Sequence, residues 1–373
     1  MAGVSELISA TVADGVGHLT LSRPKVLNAL NFEMVLALTE ILEAWRHDAE
    51  VGVIVLDGAG DRGLCAGGDL RELHDYATRG DHGPAHEFFR SEYRLDATIA
   101  RYPKPVVAIM DGITMGGGIG LSGHAAIRVV TERSQLAMPE TRIGFTPDVG
   151  GSWLLASAPG ELGVHLALNS RTMDAADALH AGFADVYVPS DRLPHLLQAL
   201  AERADPGSPA EIVMLFDETP GPSALALTRD WVDACYSAAT VPEIIGRLRA
   251  FARGDAADGR DGALPAHPLD PDAPTAAATA ADQLETLSPI ALTITLESVR
   301  RARALPRLED AFEQEFRAVT WLIEQPDLAE GIRAQVLDKD RQPRWHPSTL
   351  DGVPPGLASR VLDDARFAPV FAR

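Results

Sequence analysis

The stretch Thr114–Asp148, TMGGGIGLSGHAAIRVVTERSQLAMPETRIGFTPD, decides how this chain is read. It opens on three consecutive glycines, Gly116, Gly117 and Gly118. It closes on two acids, Glu140 and Asp148, in apolar and glycine-rich surroundings. The apolar run Val106–Met110 leads into the glycines and has the composition of a buried strand. A glycine turn after a strand lets a backbone N–H face a ligand with no side chain in the way. Where the next residues open a helix, that N–H also lies at the positive end of the helix dipole. Those are the parts of an oxyanion site. Two acids nearby supply a base or a nucleophile.

Upstream, Ile8–Val12 and Gly17–Leu21 read as a hairpin around Asp14-Gly15. Ser22-Arg23-Pro24-Lys25 breaks the pattern, and Asn31 is placed to cap a helix running to about Trp45. Val51–Leu56 is a strand, and Leu64-Cys65-Ala66-Gly67-Gly68-Asp69 is a second glycine turn. A helix follows from Leu70, with Asp69 as its cap, and another spans Pro84–Arg101. Downstream, Ala126–Val130 and Gln135–Met138 are strands. Strands alternating with helices predict an α/β core. From Gly160 the pattern turns mostly helical: Glu161–Leu168, Ala175–Ala181, Leu193–Arg203, Pro289–Arg303, Arg307–Glu324 and Glu330–Leu337, with a short strand at Asp185–Val188. Gly254–Ala281 is rich in Ala, Asp, Gly and Pro and is expected to be a linker or mobile loop.

Composition sets outer limits. The 373 residues are 46% hydrophobic, enough for a substantial core. The net charge of −20 argues against nucleic acid as the main partner, while leaving room for a local basic patch facing an anionic small ligand. Two cysteines, Cys65 and Cys235, are too few for a disulfide framework and point to the reducing cytoplasm. The opening MAGVSELISATVADG lacks the basic and apolar regions of a signal peptide, and no apolar run approaches the length of a membrane span.

Each candidate has an ordinary structural alternative. The turns at Ala66-Gly67-Gly68 and Gly116-Gly117-Gly118 are either two N–H donors converging on one oxygen or two plain loops. Glu140, just after a strand, and Asp148, just before an apolar stretch, are either working acids or caps. Glu92, on the Pro84–Arg101 helix, has a solvated face as its alternative. Gly118-Ile119-Gly120-Leu121-Ser122-Gly123 matches G-x-G-x-x-G, but the helix before the next strand is too short for a dinucleotide-binding crossover. Cys65 reads as a small buried residue rather than a nucleophile. The eleven histidines show no ligand spacing, so no metal is expected.

Together these residues resemble the crotonase (enoyl-CoA hydratase/isomerase) superfamily. Three segments carry the general likeness: Leu21 to Leu30, Cys65-Ala66-Gly67-Gly68-Asp69 and the triple glycine. A closer likeness is to the 3-hydroxyisobutyryl-CoA hydrolase branch. It rests on Gly112 to Gly118, Met138-Pro139-Glu140-Thr141, Pro147-Asp148-Val149-Gly150-Gly151, Ser288-Pro289, and Glu330-Gly331-Ile332-Arg333-Ala334 with Asp338-Lys339-Asp340. It covers nearly the whole chain and is weakest over Gly254–Ala281.

The resemblance implies a crotonase-like spiral of ββα units over residues 1–205, an acyl-CoA-binding catalytic core. A helical C-terminal region, 206–373, is expected to follow. It implies that Gly68 and Gly117 are oxyanion donors to a thioester carbonyl, that Glu140 is the catalytic acid group and that Asp148 is its partner. Glu92 falls at a substrate contact, and Lys25, Val26 and Leu27 lie where the family lays coenzyme A against backbone. Ala66, Gly67, Asp69 and Gly116 flank the two turns and are expected beside the substrate. Hydratases carry a second glutamate shortly after the triple glycine, where this chain has Gly120. The implied activity is hydrolysis of a short 3-hydroxyacyl-CoA thioester, with hydration or isomerisation of an enoyl-CoA next and a non-catalytic acyl-CoA or partner-binding role third. Coenzyme A would be part of the substrate, with no separate cofactor. Trimers are common in the superfamily, so a homo-oligomer is expected.

Overall fold

The structure, a computed structural model, describes residues 6–202, 208–255 and 272–371. By packing, the chain forms two compact units. One comprises residues 1–69, 87–137 and 173–222, and the other residues 70–86, 138–172 and 223–373.

The first unit holds the sheets. Strands β1 (Ile8–Ala13) and β2 (Val16–Leu21) form an antiparallel hairpin, with Asp14 and Gly15 at positive φ in its turn. Asn31 caps the helix Phe32–Arg46 by accepting from the Met34 N–H at 3.0 Å. That helix buries Met34, Val35, Leu38, Ile41, Leu42 and Trp45 at helical spacing. It returns the chain to β3 (Val53–Gly58), parallel to β2. Next come β4 (Val106–Met110), β5 (Ile113–Met115), β6 (Ile127–Val130), β7 (Gln135–Ala137) and β8 (Val186–Tyr187). The main sheet runs β1-β2-β3-β4-β6-β8, and beyond the hairpin every neighbour is parallel. All five residues of β4 are buried, as expected of a parallel strand covered on both faces.

β5 leaves the main sheet and pairs with β7 in a separate parallel ribbon. This diversion delivers the triple glycine at the end of β5. The sequence reading has no strand there, because three residues, Ile113, Thr114 and Met115, are too few to show a period.

The second unit is helical. Ser288 caps the helix Pro289–Ala302, and Arg307 leads into the helix Leu308–Leu322. Helix Val241–Arg253 opens with a capping box between Thr240 and Glu243 and ends at Gly254, whose φ of 72° suits a left-handed C-cap. Within the expected linker, residues 256–271 lie outside the described residues. Its last part is not a loop: Ala273–Thr286 is a helix that buries Ala273, Ala277, Ala280, Ala281 and Leu284. The alanines read as low-complexity linker are the strongest helix formers, and their spacing gives one buried face. Among the described residues, no helix is long and apolar enough to cross a membrane.

Candidate active site

In the first unit, the glycine turns form a backbone-lined corner. The Cys65–Asp69 turn is held on both sides. The Leu30 N–H donates to the Gly67 carbonyl at 2.8 Å, and the Asp69 N–H donates to the Leu30 carbonyl at 2.7 Å. The Ala66 N–H donates to the Leu27 carbonyl at 3.0 Å, and the Met115 N–H to the Cys65 carbonyl at 2.9 Å. Gly67 has φ of 101°, a conformation closed to other residues, and this turns the chain so that the Gly68 N–H is left out of these pairings. Gly116, at φ 49°, is the N-cap of the helix Gly117–Gly123. Gly117 is therefore the first helical residue, whose N–H has no partner within the helix. Neither the Gly68 nor the Gly117 N–H has an acceptor among the described residues.

The two amides are neighbours. A Cβ placed on Gly117 would lie 3.6 Å from the Gly68 nitrogen and 2.5 Å from Oε1 of Glu92. Glu92 is only 2% exposed, on the helix Gly83–Ala100, so the solvated-face alternative fails. Burial pushes the Cys65 thiol up to about 12, which leaves it an inert packing residue beside Gly67. Asp69 pairs with Arg23 at 3.0 Å. Lys25 and Val26 lie on the exposed turn Pro24–Val26, and Leu27 follows at φ 56°.

In the second unit, the acids form a buried cluster. Glu140 opens the one-turn helix Glu140–Ile143 and is 7% exposed. Its Oε2 is buried with no hydrogen-bond partner among the described residues. Burial, then the charge of Asp148, and to a smaller degree that of Glu315, hold its pKa well above the usual carboxylate range. Asp148 is 6% exposed, and the cap of the helix that follows, Gly151–Ser157, is Gly150 rather than Asp148. A buried carboxyl oxygen without a partner and a displaced pKa are features that a working acid or base shares.

The turn carrying Glu140 is braced by side chains far along the chain. Thr141 Oγ1 bonds Ser170 Oγ at 2.6 Å, and the Phe145 N–H donates to the Glu140 carbonyl at 3.1 Å. A Cβ on Gly144 would lie 2.7 Å from the Asp327 carbonyl oxygen, and a Cβ on Gly331 would collide with the Ile143 carbonyl. These glycines let the helix Pro326–Ile332 lie directly against the Glu140 turn. Ser288 Oγ fastens Asp327 at 2.6 Å. Arg333 ties Glu330 at 2.8 Å and Asp338 and Asp340 at 2.7 Å each, closing the chain after that helix. The late motif thus packs behind the Glu140 turn.

Sequence reading missed Glu315. It is fully buried, accepts from the Gly150 and Ser152 N–H groups, and has its pKa pushed up to about 8 by burial first and by Asp148 as well. Only its apolar neighbours, Ala311, Phe312 and Phe316, hinted that it faced inward. A cavity of about 510 Å³ in the same unit, lined in part by Arg142, Arg171 and Gln283, contains none of the expected site residues.

With this geometry in hand, known proteins add a lineage. The enoyl-CoA hydratase/isomerase family model matches residues 16–362. The mitochondrial 3-hydroxyisobutyryl-CoA hydrolase of Gallus gallus is 36% identical over 347 residues, 91% of this chain and 84% of that one. Its counterpart in Homo sapiens is 34% identical over 345 residues, 90% and 83% of the two chains. Among solved structures, a carnitinyl-CoA dehydratase from Mycobacterium thermoresistibile is 44% identical with a TM-score of 0.85, covering 96% of both chains. An enoyl-CoA hydratase from Rhodobacter sphaeroides is 39% identical with a TM-score of 0.83, covering 96% of this chain and 97% of that one. Signature turns, sheet order and matched length agree: the chain belongs to the enoyl-CoA hydratase/isomerase family.

Proposed function

We propose that this protein hydrolyses a short 3-hydroxyacyl-CoA thioester, with 3-hydroxyisobutyryl-CoA, an intermediate of valine breakdown, as the first substrate to try. The observation that carries the reading is the buried, partnerless carboxyl oxygen of Glu140 beside Asp148. The relatives named as 3-hydroxyisobutyryl-CoA hydrolases support it. Hydrolysis asks for a stabilised tetrahedral oxyanion and one carboxylate. The Gly68 and Gly117 N–H groups would take the oxyanion. Glu140 would either attack the carbonyl carbon, giving a mixed anhydride that water then opens, or take a proton from an attacking water. By either route the C–S bond breaks, the coenzyme A sulfur leaves as the thiol, and the free acid remains. Asp148 would hold the substrate hydroxyl or the water. Glu92 would touch the acyl group, and Lys25, Val26 and Leu27 the coenzyme A portion, with Ala66, Gly67, Asp69 and Gly116 shaping the approach. Coenzyme A arrives with the substrate, so no separate cofactor enters.

Hydration of an enoyl-CoA is the second reading, because the two solved structures above are described as a dehydratase and a hydratase. Against it stands Gly120, buried in the helix Gly117–Gly123 where hydratases carry their second glutamate. The deciding experiment offers 3-hydroxyisobutyryl-CoA, isobutyryl-CoA and crotonyl-CoA to the protein and follows thiol release and loss of the enoyl absorbance. Fast thiol release from the hydroxy ester is expected. Fast hydration of crotonyl-CoA with no thiol release from the hydroxy ester would sink the hydrolase reading. For the compartment we propose the cytoplasm, on the two unpaired cysteines. The relatives above are named mitochondrial, and recovery of the protein in an organelle fraction would overturn that choice. We propose a homo-oligomer, its order to be read from light-scattering mass.

A further inference from the structure

The chain after Asp148 is held in a conformation its own residues do not favour. Val149 has φ of 52°, in the left-handed region that a β-branched residue seldom enters, and Gly150 follows at φ 75°. Successive residues of this kind turn their N–H groups to one side. Here those groups meet one side chain. Glu315 accepts from the Gly150 N–H at 2.7 Å through Oε2 and from the Ser152 N–H at 2.9 Å through Oε1. It comes from the helix Leu308–Leu322 and is fully buried. Its neighbour Gln314 donates to Ser152 Oγ at 3.4 Å and to the Ser298 carbonyl at 3.0 Å. Between the two gripped amides, the Gly151 N–H donates to the Asp148 carbonyl at 2.6 Å. A Cβ on Gly151 would lie 2.5 Å from Met138 Cε, so the methionine side chain packs directly on the turn.

We propose that Glu315 is a positioning residue: its carboxyl clamps the Pro147–Ser152 turn by two main-chain hydrogen bonds and thereby fixes the Asp148 carboxyl for the reaction. This rests on the hydrolase reading above. Without the clamp, two buried donors lose their acceptor, and Val149 is free to leave the left-handed region. Asp148, one residue upstream, then moves with it. Misplacement of a reacting group by about 1 Å lowers rate by roughly 10²-fold. A purely structural Glu315 would lower the melting temperature and leave kcat of the folded protein alone.

The test uses Glu315→Gln and Glu315→Asp in the full chain, with Asp148→Asn for comparison. Gln keeps the shape but can accept only one of the two N–H groups. Asp at 315 keeps the carboxyl but is one methylene shorter, so it cannot reach both amides. Amide hydrogen exchange is read at Gly150 and Ser152, and thiol release is followed on 3-hydroxyisobutyryl-CoA and isobutyryl-CoA. In both variants exchange at those amides should quicken by about tenfold or more, as expected when local opening becomes easier. kcat should fall by roughly 10–100-fold with KM within about threefold. The preference for the hydroxy ester should shrink as it does in Asp148→Asn. A folded Glu315→Gln protein with wild-type exchange, kcat and preference overturns the proposal. If Glu315→Gln does not fold, wild-type kcat and preference in Glu315→Asp overturn it instead. A wild-type protein that releases thiol from no ester sinks the hydrolase reading alone, and the exchange rates still decide whether Glu315 holds the turn.

Discussion

Gly68 and Gly117 present only backbone, whereas Glu140 and Asp148 present side chains, and each pair is secured within its own unit by different means. The glycine pair sits among backbone hydrogen bonds between turns and strand ends of the first unit, such as Leu30 to Gly67 and Met115 to Cys65. The acid pair depends on residues more than a hundred positions away: Asp327 and Gly331 behind Glu140, and Glu315 behind the turn that follows Asp148. A backbone donor needs only the correct φ and an absent side chain, which glycine supplies locally. A buried carboxylate needs its charge state managed, and this takes neighbours on every side.

That contrast can be broken or sharpened by experiment. The largest effect is expected from Glu140→Gln, which keeps the shape and removes the base or nucleophile. Thiol release should fall by roughly 10³–10⁴-fold. A folded Glu140→Gln protein that turns over normally would show that the acid half does no chemistry. Next comes Gly117→Pro, which deletes one of the two amides. Loss of one such donor lowers rate by roughly 10²–10³-fold, and the proline ring adds distortion. Near-normal turnover in that variant would place the oxyanion donors elsewhere.

Gly331→Ala probes the long-range bracing without touching a reacting group. The added methyl collides with the Ile143 carbonyl, so the helix Pro326–Ile332 must shift away from the Glu140 turn. Overpacking of this kind costs about 1–3 kcal/mol, to be read from denaturant unfolding. An unchanged stability and rate would mean the C-terminal motif does not support the site.

The smallest effect is in the pH dependence of stability. The Glu315 pKa rises from the ordinary 4.5 to about 8 on folding. Between those values the folded protein holds a proton that the unfolded chain has released. Stability is therefore full below about pH 4.5 and declines as pH rises towards 8, by at most about 1.4 kcal/mol per unit from this group. Glu315→Gln should flatten that slope in melting curves taken from pH 5 to pH 8. A wild-type slope that survives the substitution would assign the proton to another group. The raised pKa of Glu140 acts on rate: thiol release should climb with pH as its carboxyl ionises, whether it serves as base or nucleophile.

Where the sequence could be read, the reading rested on local chemistry. Gly67 and Gly116 adopt positive φ, as their places in the two turns predict, and Asn31 caps its helix as its place before the apolar periodicity predicts. The strands β3 and β4 announced themselves as apolar runs. Elsewhere local signals misled or fell silent. The alanines of Ala273–Thr286 looked like linker because alanine marks no boundary, and β5 was too short to carry a pattern.

By itself, the sequence determined the two glycine turns, the alternation that makes an α/β core, and which acids to watch. Each of these follows from the conformational range or the period of residues close together in the chain. Tertiary structure alone decided that Glu92 is buried beside Gly117 and that Gly331 presses against the Glu140 turn. It also decided that Glu315 reaches the amides beyond Asp148. Burial and hydrogen bonding across such separations are set by how helices and turns pack, and no local pattern of residues encodes which partner a buried carboxyl will meet.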